Sequence, residues 1–288
     1  MGKMMFGYPN WLDHADTVLS GGSWEAALPL ANLQDKRLAK VARSTDDELV
    51  STIVNADFSN QKYLYCVALP KHNLTIDALV RVRLSNNSDM SAPTYDTGWV
   101  NAYPKIYPSE MPLWDDPGTW DGYLAQDDYD RGLTFGWTHV LTAPTNGRYL
   151  RLEINDTANP DGYVDLGRLV AASGYIPVIN FEVGAGLGWQ TSSTSVESDG
   201  GATFHNARYQ RRVFNCVLAN QSENEAMVHL WEITRLMGTS EQFFFIYDID
   251  DTIHLGRRSF ICVMKELSRM VVAYASYMDL PISLVEEL

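Results

Sequence analysis

The sequence predicts a mainly β protein with one well-signalled helix. Short runs rich in β-branched and aromatic residues recur, including "KYLYCVAL", "TIDALVRVRL" and "RVFNCVLA". Clusters of Gly, Asn, Asp and Pro separate these runs, as is typical of strands joined by turns. Hydrophobic residues make up 45% of the 288 positions, which allows a sizeable core in one large domain or two ordinary ones.

The chain is expected to divide into two domains, residues 1–175 and residues 176–288. The first part ends with the strand-like runs "GRYLRLEI" and "YVDLGRLVAA", and it contains a weaker helical signal at residues 28–40. The stretch "ASGYIPVINFE" is then predicted to connect the two domains. After it come a strand, a Gly-rich turn, further strands, the helix and a last group of strands.

The helix is predicted over residues 223–237. Ser222 can cap its first turn, and Glu225 completes a capping box three residues later. Gly238 provides the C-terminal stop. The residues that fall on one face at helical spacing are Ala226, Leu230, Ile233 and Met237.

Charge and cysteine usage limit the classes of function. The formal net charge of −14 disfavours binding to nucleic acid or to anionic lipid, and no apolar run has the length of a membrane span. The start of the chain lacks the apolar core of a signal peptide, so folding in a cytoplasm is expected. Cys66, Cys216 and Cys262 lie far apart in apolar strands and are predicted to be reduced core thiols.

The stretch "FFFIYDIDDT", residues 243–252, places D-x-D-x-T behind an apolar strand. It resembles the nucleophile motif of haloacid dehalogenase-like phosphatases. That family carries the motif near the start of a doubly wound domain, whereas here only 36 residues follow Thr252 and Lys265 is the only lysine among them. The chain before the motif also lacks the alternation of strands and helices that a parallel sheet needs. A hairpin is therefore predicted, with no catalytic residue and no enzyme activity.

No cofactor or metal site is predicted. None of the six histidines lies three or four residues from another histidine or a cysteine, so zinc spacing is missing. The glycine-rich "GAGLG", residues 184–188, is followed by a strand-like stretch instead of the helix that dinucleotide binding needs. A flexible turn is the favoured interpretation.

An unusual segment, residues 112–136, mixes aromatic and acidic side chains. Its aromatic members are Trp114, Trp120, Tyr123 and Tyr129, and its acidic members are Asp115, Asp116, Asp121, Asp127, Asp128 and Asp130. Aromatic faces stack on sugar rings, and carboxylates bind hydroxyl groups or calcium. The alternative is a long loop that packs its own aromatic rings or docks on a neighbouring subunit. The four aromatic residues are the candidate glycan or subunit contacts.

Two stretches of the first part resemble the discoidin-like, galactose-binding jelly roll. They are "GGSWEAALPLANLQDKRLAKVARS" and "RYLRLEINDTANPDGYVDLGRLVAAS". The matching positions are Arg151, Asp156, Gly162-Tyr163 and Gly167-Arg168. The resemblance covers roughly residues 20–173 and is shared with virion proteins of long-tailed bacteriophages. It implies a galactose-binding-like jelly-roll sandwich as the first domain.

The second part resembles the tail-tube-like fold of phage tail-tube and distal tail proteins. The resemblance rests on "RYQRRVFNCVLANQSENEAMVHLWEITRLMGTSEQFFFIYD", the strand pairs that follow and the ending "PISLVEEL". It implies a β-sandwich or split barrel with one α-helix, which self-associates into a ring as a hexamer or a trimer. The expected partners are tail-tube and other baseplate proteins, and the expected location is the virion tail tip.

The two domains stand in the reverse of the commonest order in distal tail proteins. The position along the tail therefore stays open at this stage. The alternative function is a carbohydrate-binding adhesin module that recognises host surface glycans.

Overall fold

The computed structural model describes residues 2–103, 129 and 136–288. The predicted fold class, a mainly β sandwich with one helix of several turns, is confirmed. The strands are β1 (Met5–Gly7), β2 (Val18–Ser20), β3 (Ala42–Arg43), β4 (Val54–Leu69), β5 (Leu79–Ser85), β6 (Tyr95–Asp96), β7 (Val100–Asn101), β8 (Trp137–Asn155), β9 (Asp165–Leu166), β10 (Val170–Ala172), β11 (Gly186–Gln190), β12 (Thr194–Glu197), β13 (Thr203–Asn206), β14 (Arg211–Ser222), β15 (Phe243–Ile246), β16 (Ser259–Met264), β17 (Val271–Tyr274) and β18 (Tyr277–Glu286).

Helix α1 consists of three consecutive segments, Glu223–Glu225, Ala226–Leu230 and Trp231–Met237. A second helix, α2, is one turn long and spans Leu255–Arg258. Two short 3-10 helices occupy Trp11–Asp13 and Leu30–Gln34. Among the described residues, no helix is long and apolar enough to cross a bilayer.

The chain packs as two compact units that are not consecutive halves. Unit 1 comprises Met1–Ile176 and Phe244–Phe260, and unit 2 comprises Pro177–Phe243 and Ile261–Leu288. The sequence-based domain boundary falls beside the first of these breaks. The segment Phe244–Phe260, which the sequence analysis assigned to the second domain, packs with unit 1.

Unit 1 contains a seven-stranded antiparallel sheet. Its order is β10-β4-β8-β5-β6, with β2 added to β4 and β7 added to β5. Apolar side chains alternate along these strands, so one face of the sheet turns Val54, Val82 and Leu152 into the core. The small β3–β9 sheet contributes Ala42 and Leu166 to the same core cluster. The opposite face carries Arg81, Arg83 and Glu153 along β5 and β8, whereas along β10 and the end of β4 it is apolar and buried, with Cys66, Ala68, Val170 and Ala172.

The helical signal at residues 28–40 yields only the 3-10 helix Leu30–Gln34. Pro29 stands at its N-cap position, where its fixed φ is compatible with a helix start. Asp35 ends it in an extended conformation and pairs with Arg37 and Lys40 at 2.9 and 2.7 Å. Local side-chain hydrogen bonds of this kind compete with helix propagation.

In unit 2, an antiparallel sheet has the order β16-β18-β14-β11, and β17 also pairs with β18. Helix α1 begins and ends where the sequence predicts. The hydroxyl of Ser222 accepts from the N–H of Glu225 at 3.3 Å, and Gly238 ends the helix at a φ of +53°, a region that favours glycine. The four residues of its predicted apolar face are all buried.

The three cysteines are free and buried, as predicted. Burial raises the pKa of the Cys66 thiol to about 12 and that of Cys216 to about 12. A thiol with so high a pKa carries almost no nucleophilic thiolate near neutral pH, so these side chains act as small apolar residues.

Candidate functional sites

The structure describes one of the four candidate contact residues. Trp114, Trp120 and Tyr123 lie outside the described residues, as do the six aspartates of the same segment. Tyr129 is half-buried on the core of unit 1, and its ring meets that of Tyr103 edge-on at a centroid distance of 6.0 Å. Tyr129 therefore contributes to packing, as expected if this segment is a loop whose aromatic rings pack within the protein.

The aspartates of the D-x-D-x-T stretch hold a turn. An oxygen of Asp248 accepts from the backbone N–H of Lys3 at 3.2 Å and of Asp250 at 3.0 Å. Asp251 accepts from the N–H groups of Ile253 and His254, at 3.0 and 2.8 Å. Carboxylates that accept from nearby backbone N–H groups are typical of turns.

The segment around this turn folds back on itself. The N–H of Tyr247 donates to the carbonyl of Arg258 at 3.2 Å, and the rings of Phe245 and Phe260 pack edge-on at 5.5 Å. Asp251 also pairs with Arg258 at 3.2 Å. Within the described residues, no three His, Cys, Asp or Glu side chains come together in a way that could hold a metal ion. The geometry therefore agrees with the predicted hairpin.

The positions that carry the jelly-roll resemblance stabilise loops of unit 1. Asp156 is 4% exposed and accepts from the N–H of Thr75 at 3.1 Å and from the side-chain amide of Asn159 at 2.8 Å. Arg168 is 2% exposed and forms an ion pair with Asp13. Buried charges need such partners, so both side chains have a structural role.

The polar face of the large sheet in unit 1 carries a cross-strand ladder of arginines and acids. Its pairs are Arg148 with Asp57, Arg81 with Asp96, and Arg83 with Glu153, with closest distances of 2.8, 2.5 and 2.5 Å. The bound guanidinium groups lower the pKa of Asp57 and of Asp96. Each arginine lies beside a carboxylate, so the ladder stabilises strand pairing and leaves little charge for a ligand.

Exposed apolar side chains are concentrated in unit 2. Of the 22 large apolar side chains that are exposed among the described residues, 18 belong to this smaller unit. Eight of the 18 lie in three groups: Val196 and Phe204 on the β12–β13 hairpin, Met227, Val228 and Trp231 on the outer face of α1, and Val271, Val272 and Tyr274 on β17. Exposed apolar side chains that are grouped on one element, instead of scattered singly, are typical of interaction sites.

Sequence reasoning missed this surface. One signal was present for the hairpin, because "SDGGA" between two short strand-like runs is a strong turn sequence. The outer face of α1 could also have been found, since Val228 and Trp231 are spaced i, i+3 beside the buried face. Nothing in the sequence distinguishes an exposed strand such as β17 from a buried one.

Unit 2 also contains a trough of about 450 Å³ over β14 and β18. One wall is formed by residues 182–185, whose Glu182 N–H donates to the carbonyl of Val217 at 3.0 Å. The other wall includes Lys265 and Glu266. Its size suits a small ligand, but it lacks the aromatic side chains that usually line such sites.

Comparisons with known proteins give solved structures only. No protein-family model matches the chain, and no curated protein matches it. The solved structures include a family 32 carbohydrate-binding module of Clostridium perfringens NanJ in complex with galactose, at 9% identity and a TM-score of 0.37. It covers 58% of this chain and 98% of that chain.

Two further solved structures are of the same kind. One is CBM32-6 of the family 89 glycoside hydrolase CpGH89 from Clostridium perfringens, at 14% identity, with 57% of this chain and 98% of that chain covered and a TM-score of 0.34. The other is the CBM32 of AlyQ in complex with 4,5-unsaturated mannuronic acid, at 11% identity, with 54% and 92% covered and a TM-score of 0.32. All three TM-scores are below 0.5, so these likenesses assign no ligand to this chain.

Proposed function

We propose that this protein is a structural subunit of a bacteriophage tail, in the distal tail or baseplate, and that unit 2 is its assembly surface. The observation that carries the proposal is the unequal distribution of exposed apolar side chains. Monomeric proteins scatter such residues singly, whereas unit 2 groups them on a hairpin, a helix face and an edge strand. The assignment to a phage tail comes from the sequence resemblance of residues 176–288.

The apolar character of α1 on two faces supports self-association. One face, with Leu230 at its centre, is buried in unit 2. The outer face presents Met227, Val228 and Trp231, which are 47%, 53% and 49% exposed. A surface helix normally places polar residues on its solvent side, so a helix that is apolar on two sides indicates a second contact. In this proposal the contact is a neighbouring subunit of a ring.

The test is the mass of the purified chain in solution at micromolar concentration. The monomer mass is 32.4 kDa, and we expect a discrete multiple of it, three or six copies for the rings that the resemblance implies. Met227→Ser together with Trp231→Ser should lower that mass, because these changes remove apolar contact area without touching the buried face. A stable monomer over this range would contradict the proposal.

A second candidate function is a carbohydrate-binding adhesin module. It is favoured by residues 112–136 of unit 1, where Trp114, Trp120 and Tyr123 stand among six aspartates. Suitable probes are galactose and a mannuronate oligosaccharide, which represent the ligands named for two of the solved structures above. Saturable binding by a chain that stays monomeric would favour this function over assembly.

A further inference from the structure

The β12–β13 hairpin, which we call the arm, spans residues 194–206. All of its residues are exposed, and its strands pair in register with Val196 opposite Phe204. Its turn is ordered by two hydrogen bonds, from Ser198 N–H to Ala202 O and from Gly201 N–H to Ser198 O, each 2.8 Å long. The arm is therefore a formed hairpin without a core of its own.

The arm has the properties of a segment that needs a second surface. An isolated two-stranded hairpin is at best marginally stable in water, because it buries little apolar area. Val196 and Phe204 are 67% and 66% exposed, and they share one face of the arm. Covering that pair would supply the missing core.

Strand β17 offers a matching edge. Among the described strands, β17 pairs with β18 alone, so its outer backbone groups face away from the sheet. Its Val271, Val272 and Tyr274 side chains are 54%, 67% and 70% exposed. β17 is only four residues long, but its uncovered edge presents backbone N–H and C=O groups with which another chain can pair.

Charge favours the edge of β17, and not the trough over β14 and β18, as the surface that binds the arm. The end of the arm carries Glu197 and Asp199, whereas Arg269 precedes β17 and has no carboxylate within ion-pair distance among the described residues. The trough walls carry the carboxylates Glu182 and Glu266 against the single ammonium group of Lys265. An acidic hairpin end would be repelled there and attracted to Arg269.

We infer that the arm of one copy adds to the outer edge of β17 in a second copy of this chain. Backbone hydrogen bonds would extend the sheet, and Val196 and Phe204 would cover Val271 and Tyr274, which the register with β18 places on one face of β17. Because the two surfaces differ, each copy gives its arm to one neighbour and receives an arm from another. Such heterologous contacts close into a ring when the rotation between copies allows it. The inference rests on the proposed self-association.

Two sets of substitutions disable the two halves of this contact. The arm variant is Val196→Ser with Phe204→Ser, and the edge variant is Val271→Lys with Tyr274→Lys. All four positions are exposed, so the chain should keep its far-UV circular dichroism and melting temperature. The matched control is Val18→Ser with Val50→Ser, which changes two exposed apolar residues of unit 1.

We expect each variant alone to associate roughly tenfold or more weakly than the wild type, while the control keeps the wild-type mass. A mixture of the two variants should form heterodimers, because one intact arm and one intact edge remain for a single contact. Arm variants that keep the wild-type mass would overturn the inference and leave the proposed function standing. A monomeric wild type would contradict both.

A charge exchange tests the orientation of the arm. Asp199→Arg alone and Arg269→Asp alone should each weaken association, and the double variant should recover most of the loss. Damage to folding would not produce this recovery, because the destabilising effects of two independent substitutions add up. Equal losses that simply accumulate in the double variant would overturn the placement of the arm end beside Arg269.

Discussion

Burial controls the protonation of His139 in unit 1. Its ring stacks on Trp137 at 6.0 Å, and the hydroxyl of Tyr95 lies 2.8 Å from its Nε2 atom. Removal from water disfavours the charged imidazolium, so the pKa of His139 is lowered from its usual 6.5. The side chain is therefore held neutral by its surroundings.

This lowered pKa predicts a pH dependence of stability. Below pH 6.5 the unfolded chain binds a proton at His139 more readily than the folded chain does. The free energy of unfolding should therefore fall as pH drops from 6.5 towards the lower folded pKa. His139→Gln should flatten this slope in urea unfolding series, whatever its effect at pH 7.5. His205→Gln, at an exposed position of the arm, is the control, and equal slopes in all three chains would contradict the prediction.

At the scale of residues, the D-x-D-x-T stretch shows how much local structure can be predicted from a short motif. Its position near the end of a β-rich chain was enough to predict a hairpin from the sequence. The partners of Asp248 and Asp251 could not be predicted, because Lys3 lies 245 residues from Asp248 in the chain. Hydrogen bonds over such distances depend on the folded arrangement of strands, which local spacing does not encode.

At the scale of elements, helix α1 has one buried and one exposed apolar face, and the proposed function assigns the exposed face to a subunit contact. Its cap, its stop and its buried face were predicted because each depends on residues within a few positions of one another. The π-helical turn Ala226–Leu230 was not predicted, since neither capping nor apolar periodicity distinguishes it from α-helix. The exposed arm and β17 were likewise missed, because exposure depends on which elements cover them.

Leu230→Asp should unfold unit 2. Leu230 is 1% exposed, and an unpaired carboxylate at that position costs roughly 3 kcal/mol or more. Val228→Asp is the matched control, because Val228 is 53% exposed on the outer face of the same helix. The first variant should lose cooperative thermal unfolding of unit 2. The second should keep the wild-type melting temperature of the monomer and lose association, and two equally stable variants would show that the helix faces are wrongly assigned.

For the whole molecule, the two units differ in the kind of side chains that they expose to solvent. Unit 1 covers its core with a large sheet whose outer face carries paired charges. Unit 2 leaves apolar side chains exposed on three separate elements. The difference supports the proposed division, in which unit 2 assembles and unit 1 contains, by sequence position, the aromatic and acidic segment of residues 112–136. The mainly β class was predictable from composition and turns, whereas this division required the burial of individual side chains.

The division predicts that Trp114→Ala with Trp120→Ala leaves self-association intact. Both tryptophans belong to unit 1 by sequence position, and the proposed subunit contacts lie in unit 2. The mass in solution should therefore equal that of the wild type. Any binding to glycans or to partner proteins that uses this segment should weaken roughly tenfold or more, because aromatic residues dominate such contacts.

Tyr129→Ala separates packing from binding in the same segment. Tyr129 rests on Tyr103 in the core of unit 1, so this change should lower the melting temperature. Thermal melts and masses of the three chains, measured side by side, give the comparison. A loss of oligomers in the tryptophan variant, with its melting temperature unchanged, would place the assembly surface on unit 1 and refute the division. Wild-type masses in every chain, with binding lost only in the tryptophan variant, would mean that assembly and recognition use different units.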